Sequence, residues 1–273
     1  MVNADSMQLY RGMDIGTAKV TAAETKGVPH HLLDIWPVTH TAAAAEYQAL
    51  ARAALDGIAA RGRVPILAGG SGLYIRAALE DLNFPVTDAG ARSRLESSLA
   101  VEGAAVLHAR LAALDPAAAA AILPSNGRRI VRALEVIELT GRPFSATMPS
   151  YSSPARPAIQ IGLTLPRPVL DSRIAARVDH MWASGFEDEV RSLAGLGLRE
   201  GRTASRALGY QQMLRHLDGS CTLDEARDET VRATRRFARR QESWFRRDPR
   251  ILWLDPTSGD DPLDQALGLI RAE

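Results

Sequence analysis

A single cysteine, Cys221, and only two lysines, Lys19 and Lys26, set the first limits on this 273-residue chain. One thiol closes no internal disulfide and supplies no multi-cysteine zinc site, which excludes a disulfide-held secreted scaffold and a zinc finger. The shortage of lysine removes a further class. A phosphate-cradling loop needs a lysine directly after its glycines, and neither lysine lies near Gly69-Gly70-Ser71-Gly72. No apolar run reaches the roughly 18 residues of a membrane span, and the first residues lack the basic and apolar regions of a signal peptide, so a cytoplasmic chain is expected.

What is present fits a globular protein. With 46% hydrophobic and 24% charged residues, the chain can bury a full core and carry a second, smaller domain. The net charge of +1 hides an uneven distribution: between Gly201 and Arg250, 12 arginines face 7 acids, a local excess of five positive charges.

Periodicity and punctuation give the architecture. The opening residues read as a strand already under way, as though an earlier βα unit were absent, with Asp5, Ser6 and Gln8 where that strand emerges. Thr41 to Arg61 predicts a helix, Val64 to Ala68 a buried strand, Gly69 to Gly72 a turn and Leu73 to Leu79 a second helix. From Asp88 to about Ser150 only helices are expected: Ala91 to Leu111, Ala117 to Ile122, and Arg128 to Thr140. The last of these starts at Ser125-Asn126 and stops at Gly141. Strand character returns at Ile159 to Leu165 and at Ile251 to Leu254, and Pro149 to Pro157 reads as a return linker. An all-helical insertion in a parallel α/β core accounts for this order.

Four groups of residues are chemical candidates. Asp5 with Ser6 and Gln8 is either a reactive carboxylate or the cap of the next turn. Gly69 to Gly72 offers backbone amides to an anion or to a ligand's polar edge, though glycine turns are common. Arg128 and Arg132, four apart, share a helix face that serves either an anionic partner or solvent. Arg232, Arg235, Arg236, Arg239 and Arg240, followed by Gln241, Trp244 and Arg246, are denser than the helix dipole requires and suit phosphate. The spacing of Phe237 and Trp244 fits core positions better than base platforms. Adjacent His30 and His31 point to opposite sides of an extended segment, and no metal ligand set is assigned to the protein.

These residues carry a resemblance. Asp5-Ser6-Met7-Gln8 with Tyr10 to Lys19, Pro29 to Asp34, Gly69 to Tyr74, Arg128 to Glu135, and Arg239-Arg240-Gln241 with Trp244 resemble, in order, the tRNA dimethylallyltransferase (tRNA isopentenyltransferase) family. Gly185-Phe186 with Glu189-Val190, and Ala207 to Tyr210, add weaker support. Val20 stands where the family often has proline. The family also places a strand and a Gly-rich phosphate-binding loop ahead of the block at Asp5, and this sequence shows neither.

The resemblance implies a fold of α/β class: a P-loop-kinase-like parallel sheet core with an all-helical insertion domain and its first strand missing. The parts would be 1–87 (core, first part), 88–150 (helical tRNA-binding insertion) and 151–273 (core, second part, with the Arg-rich helix). It implies transfer of a dimethylallyl group from dimethylallyl diphosphate to the exocyclic amine of the adenosine 3′ of a tRNA anticodon, with Mg²⁺ assisting, in a monomeric cytoplasmic enzyme. Asp5 would be the catalytic base. Asp5, Ser6, Met7, Gln8, Ser71, Arg92, Arg128, Arg129, Ile130, Val131, Arg132, Arg206, Gly209, Tyr210, Arg239, Arg240, Gln241, Trp244 and Arg246 would bind tRNA. Two alternatives stand: a catalytically dead tRNA-binding fragment, expected if these 273 residues act without a phosphate loop, and an isopentenyltransferase acting on free adenine nucleotides.

Overall fold

Val2–Asn3 (β1) is buried on both faces, and its neighbours explain why. Leu67–Ala68 (β2) pairs with it in parallel, and a bridge from Val2 to His31 covers its other side. Ala44–Ala60 (α1) and Gly72–Leu79 (α2) lie against each other in the same unit. The buried residues of α1, Tyr47, Ala51, Leu55 and Ile58, recur at helical spacing along one face. The Tyr47 hydroxyl donates to the Asn3 carbonyl at 2.9 Å, and its ring stacks on Tyr74 with centroids 4.0 Å apart.

The computed structural model describes residues 1–85, 87–147, 156–259 and 261–271. The chain divides into two compact units, Met1–Glu80 with Pro154–Glu273, and Asp81–Ser153. Most of the expected return linker lies outside the described residues.

The fold is mixed α/β, rich in helix, with small parallel sheets. Gln160–Leu163 (β3) and Ile251–Leu254 (β4) form a second parallel pair. Instead of one continuous sheet, the described strands form two sheets of two. The strand expected over 64–68 is correspondingly short and open. Only Leu67–Ala68 pair, and Val64 and Ile66 are 85% and 53% exposed, because among the described residues β2 has a strand neighbour on one side alone.

Arg167–Ala183 (α7), Phe186–Gly195 (α8), Tyr210–Leu217 (α9), Leu223–Phe245 (α10) and Pro262–Arg271 (α11) complete this unit. The start of α10 is fixed by a capping box, in which the Thr222 hydroxyl and the Glu225 carboxylate each satisfy a backbone amide of the other residue.

The second unit consists of Ala89–Glu102 (α3), Ala104–Leu114 (α4), Pro116–Ala121 (α5), Gly127–Thr140 (α6) and a 3₁₀ turn at Phe144–Thr147. The single helix expected over Ala91 to Leu111 is two helices, broken at Gly103, whose φ of 84° is open to glycine and costly to other residues. Asn126 caps α6 by accepting from the Arg129 amide, and Gly141 ends it in the left-handed conformation. Leu95, Leu107, Leu111, Ile122, Ile130 and Leu134 fill the core between these helices.

Candidate active site

Asp5 follows directly from β1, and its two oxygens have different surroundings. Oδ1 accepts from the backbone amides of Met7 at 2.8 Å and Gln8 at 3.4 Å, so the carboxylate does cap the turn that follows it. Oδ2 has no hydrogen-bond partner among the described residues. Asn3 prepares this turn: its side chain donates to the Asp5 and Leu32 carbonyls and accepts from the Asp5 amide. One oxygen is therefore held by backbone while the other is left to accept a proton.

The glycine turn lies against the same residues. Ser71 accepts from the Ser6 amide at 3.1 Å and donates its own amide to the Ala4 carbonyl at 3.1 Å. A Cβ at Gly69 would sit 2.2 Å from the Ala4 carbonyl carbon, so only glycine permits this approach. The end of α10 reaches the turn from another direction. Gln241 donates to the Gly70 carbonyl at 2.9 Å, and the Trp244 indole nitrogen is 2.1 Å from where a Cβ on Gly72 would stand. Asp5, Ser6, Ser71, Gln241 and Trp244, spread over 240 positions of sequence, thus belong to one locality. Trp244 and Phe237 correct the expectation of core placement, since they are 39% and 42% exposed.

The segment after Gln8 is tied down by two ionisable side chains, Glu189 and Lys19. Glu189 accepts from the amides of Asp14, Ile15 and Gly16 and from the Tyr210 hydroxyl, at 3.1, 2.7, 3.2 and 2.6 Å. Burial, together with the Glu189 charge, pushes the Tyr210 hydroxyl's pKa far above its ordinary value, so it stays a donor. Lys19, with its side chain 4% exposed, donates to the Tyr10 carbonyl and pairs with Asp14 and Asp34 at 2.7 and 2.5 Å. The loop so fixed presents the Thr17 and Ala18 carbonyls to the Gln8 side-chain amide at 3.1 and 3.4 Å.

Other sequence candidates are placed differently. Gly209 and Tyr210 are buried, with the Tyr210 ring edge-on to Phe186, so they shape the site region without presenting a contact surface. In the helical unit Ile130 and Val131 belong to the core, which gives them a supporting rather than an RNA-touching position. Arg92 and Arg132 do not share the free surface expected of them. Both pair with the fully buried Glu135, at 2.6 and 2.8 Å, and Arg132 also donates to the Pro85 carbonyl. Arg128 and Arg129 are exposed and form no ion pair among the described residues.

On α10, Arg232 and Arg236 pair with Glu229, and Arg235 donates to the Asp171 carbonyl, leaving Arg239 and Arg240 exposed and without a salt bridge among the described residues. Arg246 lies over the Trp253 ring at 4.5 Å, and Arg206 is exposed in a 3₁₀ turn. Glu189 carried weight in the sequence only as part of a motif. The three amide partners of Glu189 lie more than 170 positions away, beyond the reach of local spacing.

The donor set bears on Mg²⁺. Among the described residues no group of three His, Cys, Asp or Glu side chains could hold a metal ion.

Known proteins resemble this chain over most of its length. The sequence model of the IPP transferase family matches residues 8–248. The chain is 66% identical over 270 residues to a tRNA dimethylallyltransferase of Thermobifida fusca, covering 99% of this chain and 84% of that protein. It is 68% identical over 254 residues to one of Streptomyces coelicolor, covering 93% and 81%. The solved tRNA isopentenylpyrophosphate transferase of Bacillus halodurans superposes with a TM-score of 0.70 at 42% identity, over 99% of this chain and 85% of that one. A eukaryotic dimethylallyltransferase acting on tRNA shares the fold, with a TM-score of 0.83 at 23% identity over 99% and 71%. The chain belongs to the IPP transferase family.

Proposed function

We propose that this protein transfers a dimethylallyl group from dimethylallyl diphosphate to the exocyclic amine of the adenosine just 3′ of the anticodon in tRNA. The observation that carries the reading is the Asp5 carboxylate, with one oxygen held by two backbone amides and the other unpartnered, in a family whose named members modify tRNA. An adenine amine is a poor nucleophile. Asp5 takes its proton as the nitrogen attacks the allylic carbon, the new C–N bond forms, and the C–O bond to diphosphate breaks.

Reaching one adenine in an RNA loop requires the base to be splayed out of its stack. Ser6, Gln8 and Ser71 supply polar edges around Asp5, and Trp244 an exposed ring beside them. Arg128 and Arg129 on α6, and Arg206, Arg239, Arg240 and Arg246 in the core unit, hold the phosphate backbone. Mg²⁺ belongs to the diphosphate rather than to a protein cage, as is usual for this cation with phosphate substrates.

The finer fold assignment rests on the strands. Two parallel pairs lie within one unit, and β2 and β3 each lack a second neighbour among the described residues, with Ile66 53% and Leu163 66% exposed. A strand between them would join the pairs into one P-loop-kinase-like sheet, and a Gly-rich loop after it would give the leaving diphosphate its amide donors. The enzyme acts as a cytoplasmic monomer on this reading. Among the described residues no helix is long and apolar enough to cross a membrane.

The test uses the intact gene product with unmodified tRNA, dimethylallyl diphosphate and Mg²⁺, followed by nuclease digestion and mass spectrometry. One adenosine next to the anticodon gains a dimethylallyl group, and free AMP offered in place of tRNA gains none. Alkylation of AMP at a comparable rate would transfer the assignment to the nucleotide-modifying class.

A further inference from the structure

Away from the reacting groups, the core unit buries three charged side chains together: Arg76, Glu80 and Asp248 are each at most 8% exposed. Arg250 joins them. Its Nη2, with two hydrogens, donates to Glu80 Oε1 at 2.5 Å and to Asp248 Oδ2 at 2.6 Å, and its Nε donates to Asp248 Oδ1 at 2.7 Å. The other Glu80 oxygen, Oε2, accepts from Arg76 at 2.6 Å, and Arg52 of α1 donates to the Glu80 carbonyl at 2.5 Å. The hydrogen bonds from Arg250 are the main reason that the Asp248 carboxyl stays below its ordinary pKa, so it remains ionised at neutral pH. Apolar side chains of equal volume often hold neighbouring elements together as well or better, so stability alone does not account for the network.

The network lies where two elements of the site end. Glu80 caps α2, whose first residue, Gly72, meets Trp244 about 12 Å back along the helix axis. Asp248 and Arg250 lie in the short link between α10 and β4. At the glycine turn itself, α10 is represented by Gln241, which donates to the Gly70 carbonyl, and by the Trp244 ring against Gly72. A long amide side chain and a partly exposed ring do not fix their own positions. Their helix end has to be held, and Arg250 holds it by joining Asp248, on the link that follows α10, to Glu80 at the end of α2. We propose that Arg250 is a positioning residue for the transfer: its fork locks the exit of α10 to the exit of α2 and so keeps Gln241 and Trp244 on the glycine turn beside Asp5. A lysine in its place supplies charge but not the planar fork that reaches both carboxylates. The inference rests on the Asp5 reading above and concerns a side chain at the far end of α2 from the glycine turn.

The experiment is a double-mutant cycle on kcat/KM for tRNA, at saturating dimethylallyl diphosphate, with the intact protein. Arg250→Lys and Arg250→Met are each made in the wild type and in the Gln241→Ala/Trp244→Ala background, and circular dichroism and the thermal midpoint verify the fold. Arg250→Met leaves two buried carboxylates short of a partner; should it fail to fold, Arg250→Lys, which keeps the charge, decides alone. In the wild-type background Arg250→Lys lowers kcat/KM about three- to tenfold and Arg250→Met about ten- to thirtyfold. Where the positioned side chains are already gone, the same substitutions cost less than about twofold. Equal losses in both backgrounds overturn the proposal, because a side chain that only supports the fold adds its full cost to that of the other substitutions. Full activity in either folded Arg250 variant overturns it as well. Failure of the wild type to alkylate tRNA would remove the functional reading itself.

Discussion

Glu189 holds three successive amides and one phenol with a single carboxylate, so its loss has consequences in two directions. Leaving a buried donor without its acceptor costs about 1 to 3 kcal/mol, and less at partly exposed donors such as these. Glu189→Ala is expected to destabilise the fold by about 2 to 4 kcal/mol in urea titration, and Tyr210→Phe by about 1 kcal/mol. Equal costs for the two would show that the amides find other partners. A second carboxylate, Glu135, makes stability depend on pH. Burial raises its pKa, but Arg92, Arg132 and the Asp88 amide outweigh that and hold it below the ordinary 4.5. Its folded pKa being the lower one, its contribution is full above about pH 4.5 and is lost as pH falls through the folded value. Glu135→Gln is expected to lower stability at pH 7 by about 2 to 3 kcal/mol, since one arginine partner is partly exposed and screened. The gap from wild type narrows on acidification. A gap that widens toward low pH would contradict the assignment.

At the scale of elements, α10 links a capping box at one end to the site at the other, and its contact with α2 passes through glycine. A Cβ at Gly72 would stand 2.1 Å from the Trp244 indole nitrogen and 2.4 Å from Cδ1. Trp244 is 39% exposed and can swing away, so Gly72→Ala is expected to fold. It should lower kcat/KM for tRNA about ten- to a hundredfold through the displaced ring. Unchanged kinetics would remove Trp244 from the substrate's surroundings. In the helical unit, Asn126→Ala removes the α6 cap and should cost about 1 kcal/mol of stability in urea titration.

Much of this element order was legible from sequence because it rests on local chemistry. Asn126 and Gly141 bracket α6 as capping rules require, and Ile251 to Leu254 reads as a strand and is one. The break at Gly103 was missed because a glycine within an Ala-rich helical pattern does not by itself announce a positive φ. The burial of Val131 and Tyr210 was hidden for another reason: a resemblance marks which residues recur together, not which of them face solvent.

For the whole molecule, motif order led to the family, while the sheet did not follow from the strand pattern. Val64 to Ala68 has the apolar run of a central strand, yet only two of its residues pair, since pairing depends on neighbours that a single segment cannot specify. Likewise the arginine excess between Gly201 and Arg250 was visible as a sum, but its division into paired and unpaired guanidinium groups was not. Arg232, Arg235 and Arg236 are engaged within the protein, whereas Arg239 and Arg240 form no salt bridge among the described residues. The proposed chemistry centres on Asp5, whose Oδ1 is held by two backbone amides. The most direct test is single-turnover transfer to tRNA by the intact gene product and its Asp5→Asn variant, with tRNA affinity measured on the same preparations. Asp5→Asn is expected to slow transfer by about two or more orders of magnitude while leaving tRNA affinity nearly unchanged. A parallel loss of rate and affinity, or an undiminished rate, would contradict the assignment and leave Asp5 as the cap of its turn.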